Sequence, residues 1–284
     1  MGNVKIRVWD VKYGNAIYVR TPNDKHLVYD LGRGDYSENS NDRSPLQTLS
    51  AHYKISHIHY LMVTHPHRDH IDDILNINMF TLGLFHRPVN LPRQDIMSGV
   101  SERDRAKYDK FFAMDDYFNG PVGADQMLSN PYNYGGVDIK TFQTPELTTN
   151  LNNLSILSVL TYDGMKIIIP GDNEFASLEN LMKNEDFRIV VADCDILIAP
   201  HHGRESAYHS GFVKLANPRL TIVSDGSLCD TSANSRYSAV SRGWNIYKKG
   251  QQYTRKMLST NSDGEVYIDF GRNANGRYLY VEIK

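Results

Sequence analysis

The stretch Thr64-His65-Pro66-His67-Arg68-Asp69-His70 constrains this chain more than any other. It puts three imidazoles and a carboxylate side by side, directly after the hydrophobic run His59-Tyr60-Leu61-Met62-Val63. A short apolar run of this kind reads as a buried strand, so the cluster falls where a strand opens into a loop. Imidazole and carboxylate are the donors that borderline and hard divalent cations prefer. Side chains two apart on extended chain point the same way, so His65 and His67 can grip one ion. Asp69 and His70 start a predicted helix with Ile71, Ile74 and Leu75 as its apolar face, and can turn toward a second ion. Histidines clustered by chance, each satisfied locally, are the rival reading; ligand-type side chains at this density disfavour it.

His65-x-His67-x-Asp69-His70 after a hydrophobic strand resembles the signature of the metallo-β-lactamase superfamily. Ile167-Ile168-Ile169-Pro170-Gly171-Asp172 resembles that family's strand ending in the aspartate that bridges two metals. Asp195-Ile196-Leu197-Ile198-Ala199-Pro200-His201-His202-Gly203 resembles its strand ending in the last histidine ligand. The opening Val8-Trp9-Asp10-Val11-Lys12-Tyr13-Gly14-Asn15-Ala16-Ile17, with Tyr29-Asp30-Leu31-Gly32 after it, resembles the hydrolase domain of ComEC-type DNA-uptake proteins. So do Asn152-Asn153-Leu154-Ser155 and Ser259-Thr260-Asn261-Ser262-Asp263-Gly264. The resemblance implies an α/β fold, a four-layer αββα sandwich of two mixed β-sheets flanked by helices. It implies one domain over residues 1–284, with an unrecognised insertion at about 81–150.

Bulk composition agrees with a folded chain. With 40% hydrophobic residues among 284, there is enough apolar material for a sizeable core. Thirty-one basic against 33 acidic residues give a net charge of −2, which excludes a globally basic nucleic-acid coat but permits a local patch. Cys194 and Cys229 are the two cysteines and lie in no Cys-x-x-Cys pattern, which fits a reducing compartment. The start, Met1-Gly2-Asn3-Val4-Lys5-Ile6-Arg7, alternates like a strand and lacks a signal-peptide layout. No run approaches the ~20 apolar residues that cross a bilayer. The expectation is a soluble cytoplasmic protein.

Strands are predicted around Val4–Val8, Ala16–Val19, Leu27–Tyr29, Ile156–Tyr162, Lys166–Ile169, Ile196–Ala199, Leu220–Ser224 and Glu265–Phe270. A polar loop spans Gly32–Ser44. Helices are predicted over Leu46–Tyr53, from the metal loop to about Ile77, over Ser101–Phe118, Ser177–Lys183 and Ser210–Ala216. Gly120–Gly136, rich in Gly, Asn, Pro and Tyr, reads as a loop.

The family resemblance assigns metal ligands to His65, His67, Asp69, His70, Asp172 and His201, holding one or two divalent ions, Zn2+ or Mn2+. A third histidine for the ion at His65 and His67 is missing, because no histidine lies between His86 and His201. Asn152-Asn153 occupies that region. The ion at Asp69, His70, Asp172 and His201 is therefore expected to bind more tightly. A catalytic role is assigned to Asp69, which orients the attacking water, and to His202, which supports His201 or donates a proton. Arg204 can contact a phosphate oxygen, its alternative being a solvated charge. A histidine that ComEC-type domains carry late in the chain is absent here, and Tyr237 stands in as proton donor, its alternative being a packing residue. Lys248, Lys249, Arg255 and Lys256, interleaved with Tyr247 and Tyr253, form a candidate nucleic-acid patch.

The function so implied is a metal-dependent phosphodiester hydrolase, a nuclease acting on DNA through a metal-activated water. Three readings compete with it: a cyclic or oligonucleotide phosphodiesterase, a hydrolase of a lactam, lactone or thioester, and a non-catalytic partner subunit with a structural metal site. Expected partners are a nucleic-acid or nucleotide substrate, with a protein partner or a homodimer as further options, and no membrane.

Overall fold

Alternation builds the first strand, Asn3–Val8, in which Val4, Ile6 and Val8 are buried while Lys5 is exposed. A half-buried strand of this kind belongs to a sheet with one face on a core. In the computed structural model, which describes residues 2–34, 44–89, 91–145, 149–226 and 232–284, it lies inside a nine-stranded sheet. That sheet's strands are β1 (Asn3–Val8), β2 (Ile17–Arg20), β3 (His26–Tyr29), β4 (His57–Met62), β5 (Thr81–His86), β11 (Trp244–Lys248), β12 (Gln251–Arg255), β14 (Val266–Asn273) and β15 (Gly276–Ile283). They run in the order β12-β11-β15-β14-β1-β2-β3-β4-β5. The second sheet is six-stranded, β13-β10-β9-β8-β7-β6, from β6 (Asp138–Phe142), β7 (Leu157–Tyr162), β8 (Met165–Ile169), β9 (Ile196–Ile198), β10 (Leu220–Val223) and β13 (Met257–Ser259). Both sheets are mixed: β3, β4 and β5 pair in parallel, as do β8, β9, β10 and β13, while β1–β2 and β6–β7 are antiparallel.

Three apolar layers hold the architecture. Val4, Ile6, Val19, Leu27 and Tyr60 of the first sheet meet Leu160, Ile167, Ile169, Ile198 and Ile222 of the second in the central core. On the first sheet's outer face, Leu46 and Leu49 of α1 (Pro45–Ala51), Ile71 of α2 (Arg68–Ile71), Ile96 of α3 (Arg93–Ile96) and Phe111 of α4 (Arg105–Tyr117) pack over Val28, Ile58 and Leu61. On the second sheet's outer face, Leu178 of α5 (Phe175–Leu181), Phe187 of α6 (Glu185–Val191), Phe212 of α7 (Ser210–Ala216) and Tyr237 of α8 (Asn234–Val240) cover Leu157, Ile168 and Leu197. Each such fully buried side chain contributes roughly 1.5–3 kcal/mol of burial. The result is the expected four-layer αββα sandwich.

Residues 81–150 are woven into it. They supply β5 and β6, one edge strand to each sheet, with α3 and α4 between them. Neither strand alternates cleanly: β5 buries only Phe85 and β6 only Ile139. That is why the pattern of apolar residues did not reveal them. The helix predicted to run to Ile77 breaks after Ile71 and resumes as a 3-10 turn at Ile74–Met79. Residues 35–43 of the predicted polar loop, and Cys229, lie outside the described residues; Cys194 is a buried free thiol. Among the described residues, no helix is long and apolar enough to cross a membrane.

Candidate metal centre

Strand β4 ends at Met62, and the chain is then gripped by one side chain from the neighbouring strand. Asp30, just past β3, accepts from the Thr64 amide at 2.7 Å, from Thr64 Oγ1 at 3.0 Å, and from Asn15 Nδ2 at 3.1 Å. Its Oδ2 also accepts from His70 Nδ1 at 2.8 Å. Asp30 sits in the left-handed region, at φ 59°, which turns its carboxylate under the loop. A proton on Nδ1 leaves Nε2 of His70 as the free donor, the tautomer a metal ligand needs.

His202 repeats this arrangement from the second sheet. Its Nδ1 donates to the Ser224 carbonyl at 2.8 Å, again leaving Nε2 free. Both Nε2 atoms are buried without a hydrogen-bond partner among the described residues. His70 Nε2 lies 3.2 Å from Asp172 Oδ1; His202 Nε2 lies 3.3 Å from Asp69 Oδ2 and 3.4 Å from Asp172 Oδ2. One donor atom from each of Asp69, His70, Asp172 and His202 falls within 4.8 Å of the others. Two carboxylate oxygens and two orphaned imidazole nitrogens facing one point fit a divalent cation of the Zn2+ or Mn2+ kind.

The tandem histidines are placed differently from the expectation that His201 is the ligand. It is His202, not His201, whose ring joins the cluster, because the backbone turns left-handed there: φ is 45° at His201, 56° at His202 and 76° at Gly203. Two consecutive non-glycine residues in this region cost on the order of 1–3 kcal/mol each, strain that is characteristic of functional sites. His201 keeps Nε2 3.7 Å from Asp172 and places Nδ1 3.1 Å from Glu174. Beside the cluster, His65 Nε2 and His67 Nδ1 approach to 2.9 Å, and His65 Nε2 is 3.8 Å from Asp172 Oδ2. Asn152 lies against His67, favouring its protonated form through a side-chain hydrogen bond, and its Nδ2 donates to Glu174 Oε1 at 3.5 Å. His86 is elsewhere, on β5, with Nδ1 2.9 Å from the Tyr60 hydroxyl.

The other two candidates lie in different places. Tyr237 is no neighbour of the cluster: it is fully buried in the outer core, edge-on to Tyr208 at 5.0 Å, and the charged groups acting on it are Arg236 and Glu205. It takes the packing alternative, with its hydroxyl unpartnered among the described residues. Arg204 is half-buried beside His201, which its charge disfavours from protonating.

Charge dominates the centre. Burial alone would depress both histidines, but Asp172, Asp30 and Asp69 hold His70 well above the ordinary imidazole value. Asp172 and Asp69 likewise push His202 up to about 10. Burial raises the Asp172 and Asp69 carboxyls, yet His70 and His202 outweigh it and pull both down. Burial and the neighbouring His70 and His67 depress His65. Without an ion, protons on His70 and His202 compensate the carboxylates, and a divalent cation would replace those protons.

Several residues that place these groups carried no role in the sequence. Gly14, at φ 107°, passes so close to Asp69 that an added Cβ would lie 2.1 Å from the Asp69 carbonyl. Ser224 Oγ donates to the Gly14 carbonyl at 2.8 Å, joining this loop to the strand end that holds His202. Gly171, at φ 60°, lets the end of β8 touch Thr64, where a Cβ would meet the threonine at 2.8 Å. The Tyr13-Gly14-Asn15 and Asp30-Leu31-Gly32 stretches were visible as motifs, and close backbone approach is what their glycines provide.

No family model matches the chain, and no curated protein matches it in sequence. Solved structures similar to it include a Thermotoga maritima protein described as a zinc-dependent hydrolase of the metallo-β-lactamase superfamily. It is 12% identical, with TM-score 0.44, over 89% of this chain and 97% of that one. The long form of RNase Z from yeast is 12% identical, with TM-score 0.44, over 80% of this chain and 38% of that one. The short form of human tRNase Z is 14% identical, with TM-score 0.42, over 78% and 93%. At this level of likeness they are context, and the αββα layering stands on the strand order itself.

Proposed function

We propose that this chain is a metal-dependent phosphodiester hydrolase, a nuclease acting on DNA. The observation that carries the reading is the pair of orphaned, buried Nε2 atoms of His70 and His202 facing Asp69 and Asp172. A divalent cation held there supplies Lewis-acid polarisation of a phosphoryl oxygen and acidifies a bound water toward neutrality. The chain's own residues do the rest. Asp30 and the Ser224 carbonyl fix the two rings, and Asp69, whose side chain is 37% exposed, faces the approach, where it would orient the attacking water.

The approach to the cluster carries guanidinium groups. A cleft of about 490 Å3 is lined by His67 and Asp69 together with Arg68, Arg103 and Tyr108. Both guanidiniums lie against Asp104, which also lines the cleft: Arg68 at 3.2 Å and the exposed Arg103 at 3.6 Å. Guanidinium groups beside the cluster suit a phosphodiester better than a neutral lactone or thioester. The predicted Lys248–Lys249 patch contributes less: β11 is six strand spacings from β4 along the sheet, on the order of 29 Å at ~4.8 Å each. Release of nucleotides from single- and double-stranded DNA by Zn2+- or Mn2+-loaded protein, beside bis-p-nitrophenyl phosphate and a lactone, tests the reading. Turnover of the lactone alone would replace it with the carbonyl alternative.

A further inference from the structure

A cavity of about 640 Å3 lies away from the arginine cleft, between edge strand β5 and the segment that follows α4. We infer that it is a subsite for one unpaired nucleobase of the substrate. This inference rests on the phosphodiesterase reading.

Size and lining suit a small organic group. Leu84, Phe118, Val122, Met127, Leu128 and Ile156 form apolar walls. The wall at 124–127 has little regular structure of its own, yet it is tied down by side chains reaching its carbonyls. Asn133 Nδ2 donates to the Ala124 and Met127 carbonyls at 2.9 and 3.1 Å, the Tyr134 hydroxyl to Gln126 O at 2.8 Å, and Lys25 Nζ to Asp125 O at 3.2 Å. The cavity is therefore preformed.

Its ligand is uncharged. Arg87 is the one charged side chain among the described lining residues, and it is committed to Asp115 Oδ1 at 2.7 Å and to the Asp115 and Phe85 carbonyls. His86 is held neutral, since burial and Arg87 lower it. The ligand also has a polar edge to satisfy. Gln126, Ser129 and Gln143 line the space, and Gln143, which donates Nε2 to the Leu154 carbonyl at 2.8 Å, keeps Oε1 as an acceptor. A flat heterocycle with a hydrogen-bonding edge meets both demands, and aromatic and amide side chains are what recognise unstacked bases.

Position links the cavity to the metal centre. The Val63 amide donates to the His86 carbonyl at 2.9 Å, and the Ile156 amide to the Thr64 carbonyl at 3.0 Å. Two lining residues are thus bonded to the pair that immediately precedes His65. A base in the cavity would anchor a strand whose backbone passes the cluster.

The test uses metal-loaded protein on a single-stranded oligonucleotide, on the same strand with one abasic residue walked through it, and on bis-p-nitrophenyl phosphate. An abasic residue at one position beside the cut should lower kcat/KM roughly tenfold, the scale of one lost base contact. Met127→Trp, filling the cavity from its 45% exposed wall, should bring the two strands to parity while leaving the small ester unchanged. Should that variant not fold, Gln126→Ala should narrow the difference. Equal cutting of both strands by the unmodified protein overturns the subsite and leaves the hydrolase reading standing. If no phosphodiester is cut under any metal, that reading fails instead, and thymidine and adenosine titrations then decide the cavity. Saturable nucleoside binding lost in Met127→Trp supports it; no binding, or binding of octanoate in preference, overturns it.

Discussion

Metal binding at this centre should be a proton-exchange reaction. His202 is pushed up to about 10 and His70 is also raised, both by the carboxylates that a cation would share. At pH 7 the ion must therefore displace two protons. For His202 the gap is roughly three pKa units, which at ~1.4 kcal/mol per unit is about 4 kcal/mol, or a thousandfold in affinity. The expected outcome is a logarithmic affinity that climbs with pH with a slope of at least one up to about pH 9, set by His202 and steeper where His70 also holds its proton, with protons released on binding. Titration calorimetry of Zn2+ or Mn2+ in buffers of different ionisation enthalpy reads both. The same linkage acts on the ion-free fold: groups raised in the folded state stabilise it fully below their unfolded value, near 6.5, and progressively less as pH rises toward 10. Thermal stability of chelator-treated protein should fall over that window and that of the loaded protein should not. Affinity independent of pH, with no protons released, would refute the reasoning.

Asp30→Asn, which weakens the partner of His70 without changing its shape, should lower affinity for the ion about 10- to 100-fold, read by competition with a chelator. His202→Ala should lose the tight ion on metal analysis, whereas His201→Ala should keep it; the opposite result would restore His201 as the ligand. Gly14→Ala forces a Cβ against the Asp69 carbonyl at a left-handed φ, and should reduce both metal content and thermal stability. An ion held by His65, His67 and Asn152 should bind in a second, weaker class on metal titration, because an amide oxygen replaces an imidazole.

Much of the centre was legible along the chain because its ligands are local. His65, His67, Asp69 and His70 follow one strand in close succession, so strand pattern and donor chemistry marked them as candidates, while Asp172 was singled out by the resemblance of its strand end to the metallo-β-lactamase pattern. The layered fold was legible for the same reason wherever strands alternate or run apolar, as in β1 and β7–β10. What sequence could not decide were choices between adjacent or distant atoms. Whether His201 or His202 joins Asp69, His70 and Asp172 depends on a left-handed turn whose strain is held by packing: the His201 amide on the Gly171 carbonyl, and Gly203 against Val223 and Asn234. Asp30 acquires its role only because β3 lies beside β4, and Tyr237 loses its expected one because α8 turns it into the outer core. Edge strands β5 and β6 bury one face weakly, so their pattern is faint until neighbouring strands define the register. Ligand identity is a property of short sequence, while ligand direction is set by long-range contacts that periodicity does not encode.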